Sequence, residues 1–285
     1  MPAEPNTTDR QPKDSRCATR WPILLVHGVA FKHAERTRYW GRLPALLRQH
    51  GARVYISEQD AWGSIESNAR QLQAKLLEVL ATEKAEKVNI IAHSKGGLDS
   101  RRLAAFPGIG EHIASLTTIS SPHHGIKALN WVNRLPETVL KLASSPTDIL
   151  LILAGEERPS LLPALASMSA EAMVGFNDDF PPPEGYLVQS YAAVQKRMLN
   201  DISFLHTAPL ISLIDGDNDG LIPLASADFG EYRGIMNEQG AIGLSHREIT
   251  DMSFIPYPKR LKSRDGFDIL GWWVELVAEL KDRGL

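Results

Sequence analysis

Ser94 sits in the string Ala92-His-Ser94-Lys-Gly96, between an apolar run at 88–92 and a helical pattern through Leu98, Arg102 and Ala105. A serine at a strand-to-helix junction, with small residues two before and two after it, is suited to be a nucleophile. The turn is so tight that larger flanking side chains would collide, and it lifts Oγ above the sheet edge. The helix that follows aims free N–H groups at a developing oxyanion. Such a string also arises by chance, as a glycine turn with an idle serine; its place between strand and helix gives it chemical meaning. A second oxyanion donor is expected from the loop after the first apolar run, His27-Gly28-Val29, where the Val29 N–H can face the Lys95 N–H.

An activated serine needs an imidazole within hydrogen-bond reach and a carboxylate that holds the imidazole's tautomer. With a nucleophile on such a turn the chain order is serine, acid, histidine. The carboxylates that follow are Asp215, Asp217 and Asp219, in Asp-Gly-Asp-Asn-Asp-Gly220 after the apolar run Leu210 to Ile214. Asp219, beside Gly220 and Leu221-Ile-Pro223, is preferred as the acid, with Asp215 as the alternative; the other is expected to cap a turn or face solvent. The same string imitates a calcium loop, but its ninth position is Pro223 and its twelfth, normally a bidentate Glu, is Ser226. Only His246 lies downstream of these carboxylates, so chain order selects it as the base.

These side chains need a scaffold. Ile23 to Val26, Arg53 to Ser57, Val88 to Ala92 and Ser115 to Ile119 read as short buried strands. Helical patterns alternate with them, at 35–50 (interrupted by Pro44, stopping before Gly51) and at 64–81 with Ser64 as N-cap. Strand–helix alternation of this kind implies an α/β fold: parallel strands with helices on both faces. From 126 to 180 the strand rhythm stops, and helical patterns near 127–143, 147–154 and 160–174 suggest a cap inserted over the sheet. Tyr186 to Ala192 and Leu210 to Ile214 then read as strands, and 266–282 as an amphipathic terminal helix. Residues 1–20 have nothing apolar enough to bury and read as a loose tail, leaving 21–285 as one domain.

Composition narrows the partners. With 31 Lys+Arg against 34 Asp+Glu the net charge is −3, which provides no basic stripe for nucleic acid. No apolar run approaches a membrane span. A single cysteine, Cys17, excludes an internal disulfide. The first twenty residues show no apolar core of a signal peptide, so the expected location is the cytoplasm, or export without a signal.

Several segments resemble bacterial true lipases of the Pseudomonas, Burkholderia and Proteus type, within the α/β-hydrolase fold. They are Pro22-Ile-Leu-Leu-Val-His-Gly28, Tyr39-Trp40, Val88-Asn-Ile-Ile-Ala-His-Ser-Lys-Gly-Gly-Leu98, Thr117-Thr-Ile-Ser-Ser-Pro-His-His-Gly125, Asn218-Asp-Gly-Leu221 and Leu280-Lys-Asp-Arg-Gly-Leu285. The resemblance implies a triad of Ser94, Asp219 and His246, with oxyanion donors at Val29 and Lys95. It implies a lid in the helical insertion, where Leu129, Trp131 and Leu135 belong to one broad apolar face; Trp131 and Leu135 are its candidate substrate contacts. Such a face could line an acyl pocket, meet a lipid interface or simply pack on the core. The chain departs from the family pattern at Ala92, usually Gly, and at Lys95, often Gln, His or Met; a lysine there would favour anionic substrates or point to solvent. A structural calcium is a further family property, for which this chain offers the pair Asp201 and Glu248, with Met252 where the family has an amide ligand.

The expectation is therefore a serine carboxylic ester hydrolase acting on aliphatic or lipid esters through an acyl-enzyme, with no cofactor required. A thioesterase or polyester depolymerase on the same triad, and a non-catalytic binding protein on the same fold, are the alternatives.

Overall fold

A computed structural model of the chain describes residues 14–29, 39–131, 134, 161–197, 201–252 and 266–285. Six parallel strands form its sheet: β1 (Ile23–Val26), β2 (Val54–Ile56), β3 (Val88–His93), β4 (Ile113–Ile119), β5 (Leu187–Ala192) and β6 (Glu231–Ile235). The α-helices among the described residues are α1 (Leu43–Gln49), α2 (Ile65–Glu83), α3 (Lys95–Ala104), α4 (Leu161–Ser167), α5 (Ala170–Asp179), α6 (Thr207–Asp215) and α7 (Ile269–Asp282). No described helix is long and apolar enough to cross a membrane.

The strands β1, β3 and β4 are buried at every position because helices cover both faces, which is why they read as unbroken apolar runs rather than alternating ones. Ile23 and Leu25 join Leu43, Leu47, Trp273 and Val277 on the α1/α7 face. Leu24 and Val26 join Leu72, Leu76, Ile90 and Leu103 on the α2/α3 face. Each such side chain contributes about 1.5–3 kcal/mol by leaving water. The sheet order is β2-β1-β3-β4-β5-β6. The chain leaves β1 towards one edge and returns across it to β3, so the connections after β1 and β3 diverge. A crevice opens at the carboxyl ends of those two strands, where α/β sheets hold ligands.

Local signals explain most boundaries. Ser64 caps α2 through its hydroxyl, which accepts the Ser67 N–H at 3.1 Å. Pro44 falls in the first turn of α1, where its missing N–H costs nothing, so this helix begins at Leu43; the start of the 35–50 pattern, at 35–38, lies outside the described residues. Gly51, at φ +92°, follows the helix as its left-handed exit.

Several expectations are corrected. Leu210 to Ile214 belongs to α6, not to a strand. Five residues, Leu-Ile-Ser-Leu-Ile, are too few to separate a helical period from a strand, and Pro209 in the first turn is compatible with helix. The outermost strand is instead β6, a largely exposed edge with the sequence Glu-Tyr-Arg-Gly-Ile, which carries no apolar signature. The helical pattern at 160–174 is two helices, because Ser169 starts α5 by accepting the Ala172 N–H. Of the pattern at 127–143, the described part begins as a 3-10 turn at Lys127–Leu129; that at 147–154 and Leu135 lie outside the described residues. The N-terminal segment is held from residue 14 onward rather than loose to residue 20. Cys17 is fully buried against the α1/α7 face, its N–H donates to His50 O, and Arg20 N–H donates to Leu285 O.

Three histidines are buried and neutral. Desolvation lowers His27 to about 4, and lowers His93 and His123 well below their ordinary 6.5. Once unfolded, each imidazole takes up a proton below 6.5, whereas in the fold it does not. Stability is therefore complete above 6.5 and declines as pH falls towards 4, by up to about 1.4 kcal/mol per pH unit for each histidine. Urea unfolding across that window should show this steep decline; a flat profile would contradict the buried neutral assignment.

Candidate active site

Ser94 stands between β3 and α3 with φ 59° and ψ −137°, a conformation that L-residues adopt only when their surroundings impose it. The surroundings are visible at two glycines. A Cβ on Gly28 would lie 2.5 Å from Ser94 Cβ, and one on Gly96 would lie 2.5 Å from His27 O. The loop after β1 is thus in contact with the serine, which brings Val29 and Lys95 to the same crevice. Gly28 N–H donates to Tyr39 Oη at 2.9 Å, and Tyr39 Oη lies 2.6 Å from His93 Nδ1. Tyr39 thus links the loop after β1 to the residue before Ser94 through one hydroxyl.

His246 packs its ring on His93, with centroids 4.3 Å apart, so the imidazole lies against the elbow. Its Nδ1 is 2.7 Å from Asp219 Oδ2, and its backbone N–H donates to Asp219 O at 2.7 Å. Asp219 is fully buried, and its Oδ1 accepts the N–H groups of Leu221 and Ile222 at 3.0 and 2.8 Å. Asn218 braces the turn by accepting Gly220 N–H and donating to Ser212 Oγ and Gly216 O. Among the described residues no hydrogen bond joins Ser94 Oγ to the imidazole; catalytic contacts of this kind commonly tighten only with substrate in place.

Both segments hang on the extension of β5. Gln195 N–H donates to Asn218 O, Leu244 N–H to Val194 O, and Lys196 N–H to Ile242 O. Asp219 is therefore set at the end of β5. The runner-up, Asp215, ends α6 and accepts Lys127 and Ala128 N–H at 2.9 and 3.0 Å, the turn-capping role expected of the carboxylate not chosen.

Lys95 is corrected on one point. Its side chain neither reaches solvent nor faces a substrate anion; it is fully buried, with Nζ 2.7 Å from Asp99 Oδ1. Asn68 Nδ2 donates to Asp99 Oδ2 at 2.9 Å and to Asp60 O at 2.8 Å, tying the α3 start to α2 and the loop after β2. Burial pushes the Asp99 carboxyl up, against the pull of the Lys95 charge and its hydrogen bonds. This web was missed in sequence, although Lys95 and Asp99 stand at the i, i+4 spacing of a helical ion pair.

Asp201 and Glu248 lie near His246 but are engaged by the chain itself. Asp201 accepts from Ser203 N–H, Ser245 Oγ and Arg247 Nε, and Glu248 accepts from Ser245 N–H. Burial works to raise Asp201, yet the Arg247 hydrogen bond and charge, with the two serine bonds, hold it below its ordinary value; burial raises Glu248. No group of three or more candidate metal ligands occurs among the described residues. Trp131 is 55% exposed, whereas Leu129 turns inward with Val29, Leu98, Met168 and Met173 as an apolar layer that adjoins the loop after β1 and α3.

Lys95→Met is expected to lose about 3–5 kcal/mol of stability, because Asp99 is left charged and buried. Adding Asp99→Leu should recover much of that loss. Urea denaturation checks both, and a single variant as stable as the parent would rule out a charged pair.

Residues 22–153 match the family model described as palmitoyl protein thioesterase. A triacylglycerol lipase of Pseudarthrobacter phenanthrenivorans is 34% identical over 181 residues, 59% of this chain and 56% of that protein. A triacylglycerol lipase of Burkholderia plantarii is also 34% identical over 181 residues, covering 59% and 50%. The chain thus spans about half the length of these curated relatives. Among solved structures, a metagenomic carboxyl esterase superposes with a TM-score of 0.73 at 17% identity, over 99% of this chain and 82% of its own, a likeness of fold alone. The chain is a sequence relative of the bacterial triacylglycerol lipases and carries the α/β-hydrolase fold.

Proposed function

We propose that this protein is a serine carboxylic ester hydrolase of lipase-like type. The observation that carries the reading is the buried Asp219 carboxylate 2.7 Å from His246 Nδ1, with that imidazole packed on His93 beside the strained Ser94 elbow. The carboxylate fixes Nδ1 as the protonated nitrogen, which leaves Nε2 as the base. Ser94 Oγ attacks the acyl carbonyl while His246 Nε2 takes its proton. Because Tyr39 engages the Gly28 N–H, the next N–H in that loop, Val29, is assigned to the oxyanion with Lys95 N–H at the start of α3. His246 then protonates the departing alkoxide and activates a water that releases the acid. The reaction needs no cofactor.

The acyl chain is assigned to the apolar layer of Val29, Leu98, Leu129, Met168 and Met173, because it adjoins the elbow and its methionines can move aside. Exposed Trp131 supports contact between the cap and a lipid surface. Thioester hydrolysis by the same residues is the second reading, favoured by the match of 22–153 to the thioesterase model.

The test is hydrolysis of p-nitrophenyl esters of short and long chains beside matched acyl thioesters. Ser94→Ala, His246→Ala and the double variant should each lose on the order of 10⁴–10⁶-fold in kcat, with no further loss in the double. Residual activity near the parent level in Ser94→Ala would overturn the assignment, and a strong preference for thioesters would establish the second reading.

A further inference from the structure

The loop that carries His246 contains a cation of its own. Ser245 and Arg247 flank the base, and both donate to one atom, Asp201 Oδ2: Ser245 Oγ at 2.9 Å and Arg247 Nε at 3.0 Å. Asp201 Oδ1 accepts Ser203 N–H at 3.0 Å, and the carboxylate is buried. Glu248 Oε2 is turned back onto Ser245 N–H at 3.0 Å. Met252 presents a thioether, a poor ligand for a hard cation that takes six to eight oxygens. The donor set that the lipase resemblance offers for calcium therefore does not fit that ion: its one buried carboxylate already has an internal guanidinium, and the second is occupied by the same loop.

The consequence is geometric. With residues 245 and 247 fastened to a single oxygen, residue 246 is bracketed, and its N–H and Nδ1 both reach Asp219 at 2.7 Å. The far end of the loop is fastened in the same manner. Asp251 accepts from Arg42 Nε and Nη2 at 2.8 and 2.6 Å, and Trp273 Nε1 donates to Ile249 O between the two clamps. A guanidinium suits such a place because it is always charged and holds its N–H groups in a rigid plane.

We propose that Arg247 is a positioning residue for His246, its guanidinium on Asp201 supplying the positive charge that closes the base loop in place of a divalent cation. The role given to His246 rests on the ester hydrolase reading; the clamp itself does not, and melting measurements read it without substrate.

The experiment uses the full chain. Chelator and added calcium should each leave the melting temperature and ester kcat of the parent unchanged. Arg247→Gln should lower the melting temperature and reduce kcat by on the order of 10²-fold, with KM within about twofold, because the base is misplaced while the binding surface is kept. Arg247→Lys should recover part of the kcat, since it keeps the charge but not the plane. Where Arg247→Gln does not fold, Ser245→Ala removes one of the two bonds to Asp201 Oδ2 and should give a smaller loss of the same kind. A parent protein destabilised by chelator, or an Arg247→Gln variant with parental melting and kcat, overturns the proposal. If the parent hydrolyses no ester yet melts as described with its variants, the clamp stands and the ester hydrolase reading falls.

Discussion

Everything at this site depends on how closely two strand ends approach. Ser94 holds a positive φ at the end of a fully buried strand, and the backbone of the loop after β1 lies in contact with its side chain. Neither feature would persist alone, because a strained residue relaxes unless its neighbours leave it nowhere to go. Gly28 and Gly96 permit the approach by lacking a Cβ, and strand pairing of Val26 with Ala92 fixes the height at which the two loops leave the sheet. The crevice at the crossover of the chain is therefore a consequence of strand order, and the elbow is what the crevice makes of a serine.

The partners of that serine come from far along the chain, and a short backbone rail brings them in. Residues 194–196, running on from β5, hold Asn218 on one side and residues 242 and 244 on the other. The sequence distance between Asp219 and His246 is thus bridged by ladder hydrogen bonds, and their contact needs only one further turn on each side. The two rows of packed helices set the sheet, the sheet sets the rail, and the rail sets the imidazole against His93.

How far this was legible in sequence depends on whether a feature leaves a local signal. Ser94 and Gly96 are adjacent and obey a steric rule, so their pattern can be read directly. His246 was reached through chain order, and Asp219 through its neighbourhood. The strands β1, β3 and β4 were legible because burial on both faces makes continuous apolar runs. By contrast, α6 was misread because the five residues Leu210 to Ile214 are too few to show a period, and β6 was missed because an exposed edge strand needs no apolar residues. Lys95 was expected to face solvent or substrate since nothing local distinguishes an exposed lysine from a buried one. Asp99 lies one turn along the same helix, but Asn68, which holds Asp99, comes from α2, and only tertiary packing brings that helix alongside.

Around this site the polar and apolar groups divide the work. Lys95–Asp99–Asn68 lies behind the elbow, and Asp251–Arg42 beneath the base loop. Buried charges are costly unless each is matched, so such webs penalise alternative arrangements more than they add to stability. The apolar layer is different: the side chains of Leu98, Leu129, Met168 and Met173 carry no hydrogen bonds of their own, and methionine adapts to what it touches. A fold arranged this way can hold reacting atoms to a narrow geometry while the wall assigned to the acyl chain changes shape. Substitutions in the apolar layer should then alter which substrates fit, whereas substitutions in the polar webs should alter how well any substrate reacts.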